Sequence, residues 1–252
     1  MSNIFLVLVG AVLVIGYQLY QRISQRAAME RFVGAVEDGI LSLREVAGAP
    51  IRRRPPPSDE ASARRHAEQL AGVTGELESL RCTVLGDLEE LRADGSAVGV
   101  TRWFVDRDGT TCGWCGMLTS KSGPMPVIVL LSEFSPPRFL LSRRGGTDMA
   151  IARPPALRVQ VHDAGVSLRA VLDAHRAAMS ELSPAVPQPV ADLAGAVATF
   201  DNLRTHSQGW RAAQDAEALD ALDVEAVLAH REGEYEAIGY TVFSRLCARR
   251  AG

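Results

Sequence analysis

"VGVTRWFVDRDGTTCGWCGML", residues 98–118, is two apolar runs joined by a short polar turn, and its reading decides the fold class. The runs, Val98 to Val105 and Cys112 to Leu118, carry the β-branched and aromatic residues that suit a pleated, half-buried surface. Asp106-Arg107-Asp108-Gly109 between them is turn chemistry, because aspartate bonds its own backbone and glycine takes positive φ without strain. The stretch therefore reads as a β-hairpin. Similar runs lie on both sides. TVLGDLEEL (83–91) comes before it, PVIVLLSEF (126–134) and RFLLSRR (138–144) come after, and LRVQV (157–161) follows a loop. Short apolar segments joined by tight turns predict an antiparallel β-meander of about five strands.

The segments around this meander follow a helical period. Leu70, Val73, Leu77 and Leu80 share one face of a helix over residues 61–80. Leu168, Val171, Leu172, His175, Met179 and Leu182 share one face of another, with Ser167 as its N-cap. Val190 to about Gln214 and Val224 to about Cys247 are two further helical stretches, the second broken near Gly233. Strands followed by helices, instead of an alternation of the two, indicate α+β. The expected domain is the meander packed on one face by three to four helices, preceded by an N-terminal transmembrane helix.

The transmembrane expectation comes from MSNIFLVLVGAVLVIGYQLYQR, which has no charged side chain before Arg22. Ile4 to Tyr20 makes about 17 residues, roughly 26 Å as a helix, near the lower limit for crossing a bilayer. Tyr17 and Tyr20 stand where an interfacial aromatic belt is expected. A cleaved signal peptide starts with a basic region and ends in small residues, and this segment does neither. Arginines occur only on the C-terminal flank (Arg22, Arg26, Arg31), which keeps that flank in the cytoplasm. Four regions follow: an anchor over 1–21, an amphipathic stalk helix over 22–46, a Pro/Arg-rich linker over 47–60 and a cytosolic α+β domain over 61–252. The expected location is a plasma or bacterial inner membrane, crossed once. In the stalk, Phe32, Val36, Ile40 and Leu43 form a stripe that faces either the domain or a second copy. In the linker, Arg52 to Arg54 and the prolines favour extended, solvated chain, with anionic headgroups as an alternative contact.

Composition narrows the function classes. With 47% apolar and 23% charged residues the chain is ordinary globular protein, and its net charge of −3 argues against a basic nucleic-acid-binding surface. Four cysteines among 252 residues do not make a disulfide scaffold. The CGWC pair is the one chemical signature. Cys112 and Cys115 lie three apart on a strand, so they should point to opposite faces, which suits neither a disulfide nor shared metal ligation. They remain the candidate metal ligands, but no second pair supplies the four ligands of a structural zinc site. No catalytic residue, metal or cofactor is assigned. His175, set among apolar residues, is the most interesting histidine, and His162 and His230 stand singly. Trp103, Trp114 and Trp210 read as core anchors, and the Asp106–Gly109 turn lacks the later ligands of a calcium loop. The expected role is a membrane-anchored domain that binds another protein or self-associates. The alternatives are a thiol-redox enzyme using CGWC, a hydrolase using His175, and a zinc-stabilised binding module.

Overall fold

The computed structural model describes residues 28–45, 51–56, 60–91, 97–120, 123–145, 151–228 and 235–251, with Gly48 and Gly95 between them. The apolar segment Ile4–Tyr20, the arginines Arg22 and Arg26, and the expected helix break near Gly233 lie outside these residues. Among the described residues no helix is long and apolar enough to cross a membrane. The chain divides into two compact units. One comprises Ala47–Asp148 and Arg153–Ala213; the other comprises the chain up to Val46 with Met149–Ala152 and Gln214–Gly252.

The first unit holds a mixed sheet. Its strands are β1 (Arg52–Arg54), β2 (Thr83–Leu91), β3 (Ala97–Val105), β4 (Cys112–Ser120), β5 (Gly123–Ser135), β6 (Arg138–Arg144), β7 (Leu157–His162) and β8 (Val186–Pro187). They lie in the order β1-β2-β3-β4-β5-β6-β7, with β8 pairing β5. This corrects the expected five-strand antiparallel meander. Strands β2 to β6 do run antiparallel to one another in sequence order. The sheet is nevertheless mixed, because β7 joins β6 in parallel, and it gains β1 and β8 at short pairings. The stretch read as free linker contributes β1: Arg54 pairs with Glu89 at 2.6 Å, and Arg53 with Asp201 at 3.0 Å and Glu90 at 3.6 Å. Ion pairs of Arg53 and Arg54 with Glu90, Asp201 and Glu89, not apolar side chains, add to the backbone pairing of this stretch with β2.

Side chains alternate across the sheet, and helices cover both faces instead of the one expected. Phe104, Cys115, Ile128 and Leu130 pack against α2 (Glu60–Ser79) and α3 (Leu168–Ser180) through Leu70, Leu77, Leu168, Val171 and Leu172. Trp103, Cys112, Leu131 and Phe139 pack on the other face against α4 (Leu193–Ala212) through Ala196, Leu193, Val197 and Phe200. Two glycines of the opening hairpin have distinct tasks. Gly109 closes the β3–β4 turn at φ +70. Gly113 lies so close to Val129 O and the Phe104 ring that a Cβ there would stand 2.5 and 2.8 Å from them.

The helix ends follow from local chemistry. Helix α2 ends in a Schellman motif: Cys82 N–H donates to Leu77 O at 3.0 Å and Arg81 N–H to Glu78 O at 3.0 Å, with Arg81 at φ 58. Cys82 then joins Leu77 in the core. Helix α3 starts at the expected N-cap, Ser167, whose side chain accepts from Ala170 N at 3.3 Å.

The second unit is helical. Helix α1 spans 28–45, α5 Ala216–Leu228 and α6 Tyr235–Ala251. Val33, Val36 and Ile40 of α1 pack with Val224 of α5 and with Val242 and Leu246 of α6. The apolar stripe read as a stalk is thus the face that α1 packs against α5 and α6. Acids buried in it are ion-paired. Arg44 bonds Asp220 at 2.8 Å and Asp223 at 2.6 Å, Arg249 and Arg245 pair with Glu37, and Arg250 pairs with Asp220.

Candidate functional site

The first unit's polar residues converge beneath α3. His175 faces the sheet on the third turn of that helix and is fully buried. Ser132 of β5 and Ser142 of β6 stand below it, both on the sheet face that α3 covers. Ser142 Oγ lies 2.7 Å from His175 Nδ1, and Ser132 Oγ lies 3.1 Å from Nε2. Ser142 donates onward to Gln160 Oε1 of β7 at 2.9 Å. With that proton placed, Ser142 Oγ accepts from Nδ1–H, and His175 Nε2 is left as the acceptor. Ser132 has one proton and several acceptors within reach, among them Nε2 of His175, Thr110 O at 2.9 Å and the Met179 sulfur at 3.6 Å. Thr111 Oγ1, 3.0 Å from Ser132 Oγ, closes the chain beside the Met179 sulfur at 3.5 Å. The result is one continuous relay, Thr111–Ser132–His175–Ser142–Gln160, running from the residue before β4 across three strands and one helix.

Electrostatics keep the imidazole neutral. Burial, then the Arg176 charge, then His162 push its pKa down to about 3. Arg176, the next residue, turns the other way and donates to Asp106 Oδ2 at 3.2 Å. Asp106 is also buried, and its Oδ1 accepts from Thr110 N and Thr111 N at 3.1 and 3.0 Å. The carboxylate that heads the DRDG turn therefore organises the hairpin, while Asp108 remains largely exposed. Among the described residues no carboxylate hydrogen-bonds His175, whose two nitrogens face serines.

Cys112 and Cys115 occupy opposite faces, as their spacing on a strand requires. Cys112 lies under α4 and Cys115 under α2 and α3, both fully buried and free. Their thiols donate to Leu131 O and Arg102 O, each at 3.6 Å. Burial pushes both pKa values up to about 12, so neither is a ready thiolate. Among the described residues, no group of three or more His, Cys, Asp or Glu side chains is arranged to hold a metal. Trp103 is fully buried, edge-on to Phe200 at 5.2 Å and beneath the Arg53 guanidinium at 5.3 Å. Its indole N–H donates to Thr101 at 3.0 Å. Trp114 is half-buried in the same cluster. Next to it the sheet carries a shallow, water-sized depression lined by Glu90, Gly99, Thr101, Trp114, Gly116 and Met117. Its two polar side chains are already engaged, Thr101 with Leu88 O and Glu90 with Arg53. His230 lies outside the described residues.

The relay joins His175, singled out in the sequence, to Ser132, Ser142, Thr111 and Gln160, which were not. The available signal was polar residues inside apolar strands: Ser132 in PVIVLLSEF and Ser142 in RFLLSRR interrupt runs that are otherwise core. Comparison of the chain with family models, with curated proteins and with solved structures gave no match.

Proposed function

We propose that this chain is a membrane-anchored assembly module, held at a bilayer by Ile4–Tyr20 and acting on its cytoplasmic side through contacts with protein. The observation that carries this reading is the inward use of the reactive groups. His175, Ser132, Ser142, Asp106, Cys112 and Cys115 are all buried and bonded within the first unit. Arg53 and Arg54, candidates for lipid contact, are ion-paired to Glu90, Asp201 and Glu89. That moves the attachment onto the apolar segment alone. Hydrolysis is the second reading, because Ser132 and His175 stand at hydrogen-bonding distance. A nucleophile must meet its substrate, however, and a base is normally oriented by a third polar group of the right charge. Ser132 is 1% and His175 0% exposed, and a serine takes the orienting place.

Membrane fractionation tests the proposal. The protein should pellet with membranes and resist carbonate and high salt, and a C-terminal reporter should be active only in the cytoplasm. Release by salt, or reporter activity across the membrane, would sink the anchored reading.

A further inference from the structure

The two edges of the sheet are built differently. Edge strand β1 is three arginines followed by Pro55 and Pro56, and Arg53 and Arg54 are held in ion pairs. Short length, charge and proline are the means by which an edge resists pairing with another strand. Strand β7, at the other end, is six residues long, twice the length of β1. LRVQVH has no proline or lysine within it, its one arginine, Arg158, is paired with Glu181 at 2.6 Å, and Pro154 and Pro155 stand before it. Among the described residues it pairs only with β6, and Val161 is 37% exposed.

The backbone shows which groups β7 leaves open. Phe139 N–H donates to Ala156 O at 2.8 Å and Gly145 N–H to His162 O at 3.2 Å. Even-numbered residues therefore turn their backbone groups towards β6, and Leu157, Val159 and Val161 turn theirs outward. Leu157 N–H is taken by Pro154 O at 2.9 Å. The Leu157 carbonyl and the N–H and C=O of Val159 and Val161 point away from β6, and among the described residues no strand pairs with them.

We infer that two copies of this chain join their sheets along β7, antiparallel, with Val159 paired to Val159 of the second copy. This rests on the assembly reading above and names its occupant. In that register Val159 exchanges both of its bonds with its counterpart, and each Val161 N–H meets the other copy's Leu157 carbonyl. Directly opposed residues share a sheet face. On the face covered by α4, Leu157 meets Val161 and Val159 meets Val159. On the other face Arg158 meets Gln160. The neighbouring registers that keep the faces aligned set Arg158 against Arg158, or Arg158 against His162. A shift by a single residue would bring apolar and polar faces together. Like charge counts against the Arg158–Arg158 register and mismatched faces against a one-residue shift, and with Val159 against Val159 the strand is complementary to itself.

The test uses the full chain in detergent micelles, its protein mass measured by light scattering over a range of concentration. The parent should show twice the chain mass. Val159→Pro removes only an outward N–H and leaves the β6 ladder its donors, so it should give a single chain with an unchanged circular dichroism spectrum. Val161→Lys, at an exposed position, should do the same and decides the question if the proline variant unfolds. Val159→Cys should form a reducible covalent dimer, since paired strand residues lie within disulfide reach. Val161→Cys, opposite Leu157, should not. A single-chain parent overturns the inference, as does a doubled mass that both edge variants leave intact, or equal cross-linking at 159 and 161. A single parent chain whose binding to a different protein is lost in Val159→Pro assigns the edge to a foreign strand and overturns the second-copy pairing. A membrane-bound single chain ends this inference and leaves the anchored reading standing; a doubled chain released by salt does the reverse.

Discussion

Arg81 holds the non-glycine positive φ among the described residues, 58°, at the position where a helix end most often takes glycine. A side chain there costs about 1–2 kcal/mol in backbone strain, partly offset by the smaller entropy arginine loses on folding. Arg81→Gly should therefore raise stability by about 0.5–1 kcal/mol, read as a higher urea midpoint at unchanged slope, and Arg81→Ala should not. The buried titratable groups make a second residue-scale prediction. The His175 pKa is lowered from 6.5 to about 3. As pH falls below about 6.5 the unfolded chain takes up a proton that the folded chain refuses, so stability drops progressively until about pH 3. Cys82, Cys112 and Cys115 have pKa values raised from 9.0 to about 11, 12 and 12. Above pH 9 the unfolded thiols ionise first, and stability drops again towards pH 12. Urea titrations across pH should show a plateau between these limits. His175→Gln should lose less between pH 7 and 4, and the Cys112→Ala, Cys115→Ala double variant should lose less above pH 9.

Helix α3 joins the serine relay to the rest of the first unit, and its N-terminus is held from two sides. Ser167 accepts from Ala170 N, and Glu76 of α2 accepts from Leu168 N at 3.3 Å while pairing with Arg144 at 3.4 Å. Ser167→Ala should cost about 1 kcal/mol, the usual loss when an N-cap is removed. Because Glu76 still holds a neighbouring amide, that loss should grow when Glu76→Gln is added. Thermal melts of the two single variants and the double variant measure the coupling, and strict additivity would show that the two contacts act independently. Periodicity and capping made α3 legible in the sequence, down to the buried face of Leu168, Val171, Leu172 and His175. The same reasoning left β1 unseen, because an arginine triplet has no strand pattern until Glu89, Glu90 and Asp201 stand beside it.

At the scale of the molecule, α1 and α6 of the second unit are far apart in sequence and share one core. Val33, Val36 and Ile40 each remove a large apolar side chain from water, and each such burial contributes about 1.5–3 kcal/mol. A chain starting at Ser58 loses all three, along with β1. Its first unit should keep most of its sheet, while Val224, Val242 and Leu246 should become exposed. Limited proteolysis followed by mass spectrometry should then cut within 214–252 and spare 97–213. Equal protection of both regions would mean that α5 and α6 hold together without α1.

The sequence by itself determined strands β2 to β7 and most of the helical segments, though not β1, β8 or the start of α5; it also determined the buried faces of α2 and α3, where α3 begins, and that Cys112 and Cys115 point apart. These are short-range properties, set by alternation, helical period and turn chemistry over a few residues. Only the tertiary structure decided that β7 joins β6 in parallel, that α4 takes the opposite face from α2 and α3, that 28–45 closes a core with 216–251, and that Ser132 and Ser142 meet His175. Each of these is a choice of partner among many apolar or polar surfaces of similar local character. That choice is made by what can be buried and hydrogen-bonded together across long separations, and no window along the chain contains both halves of the contact.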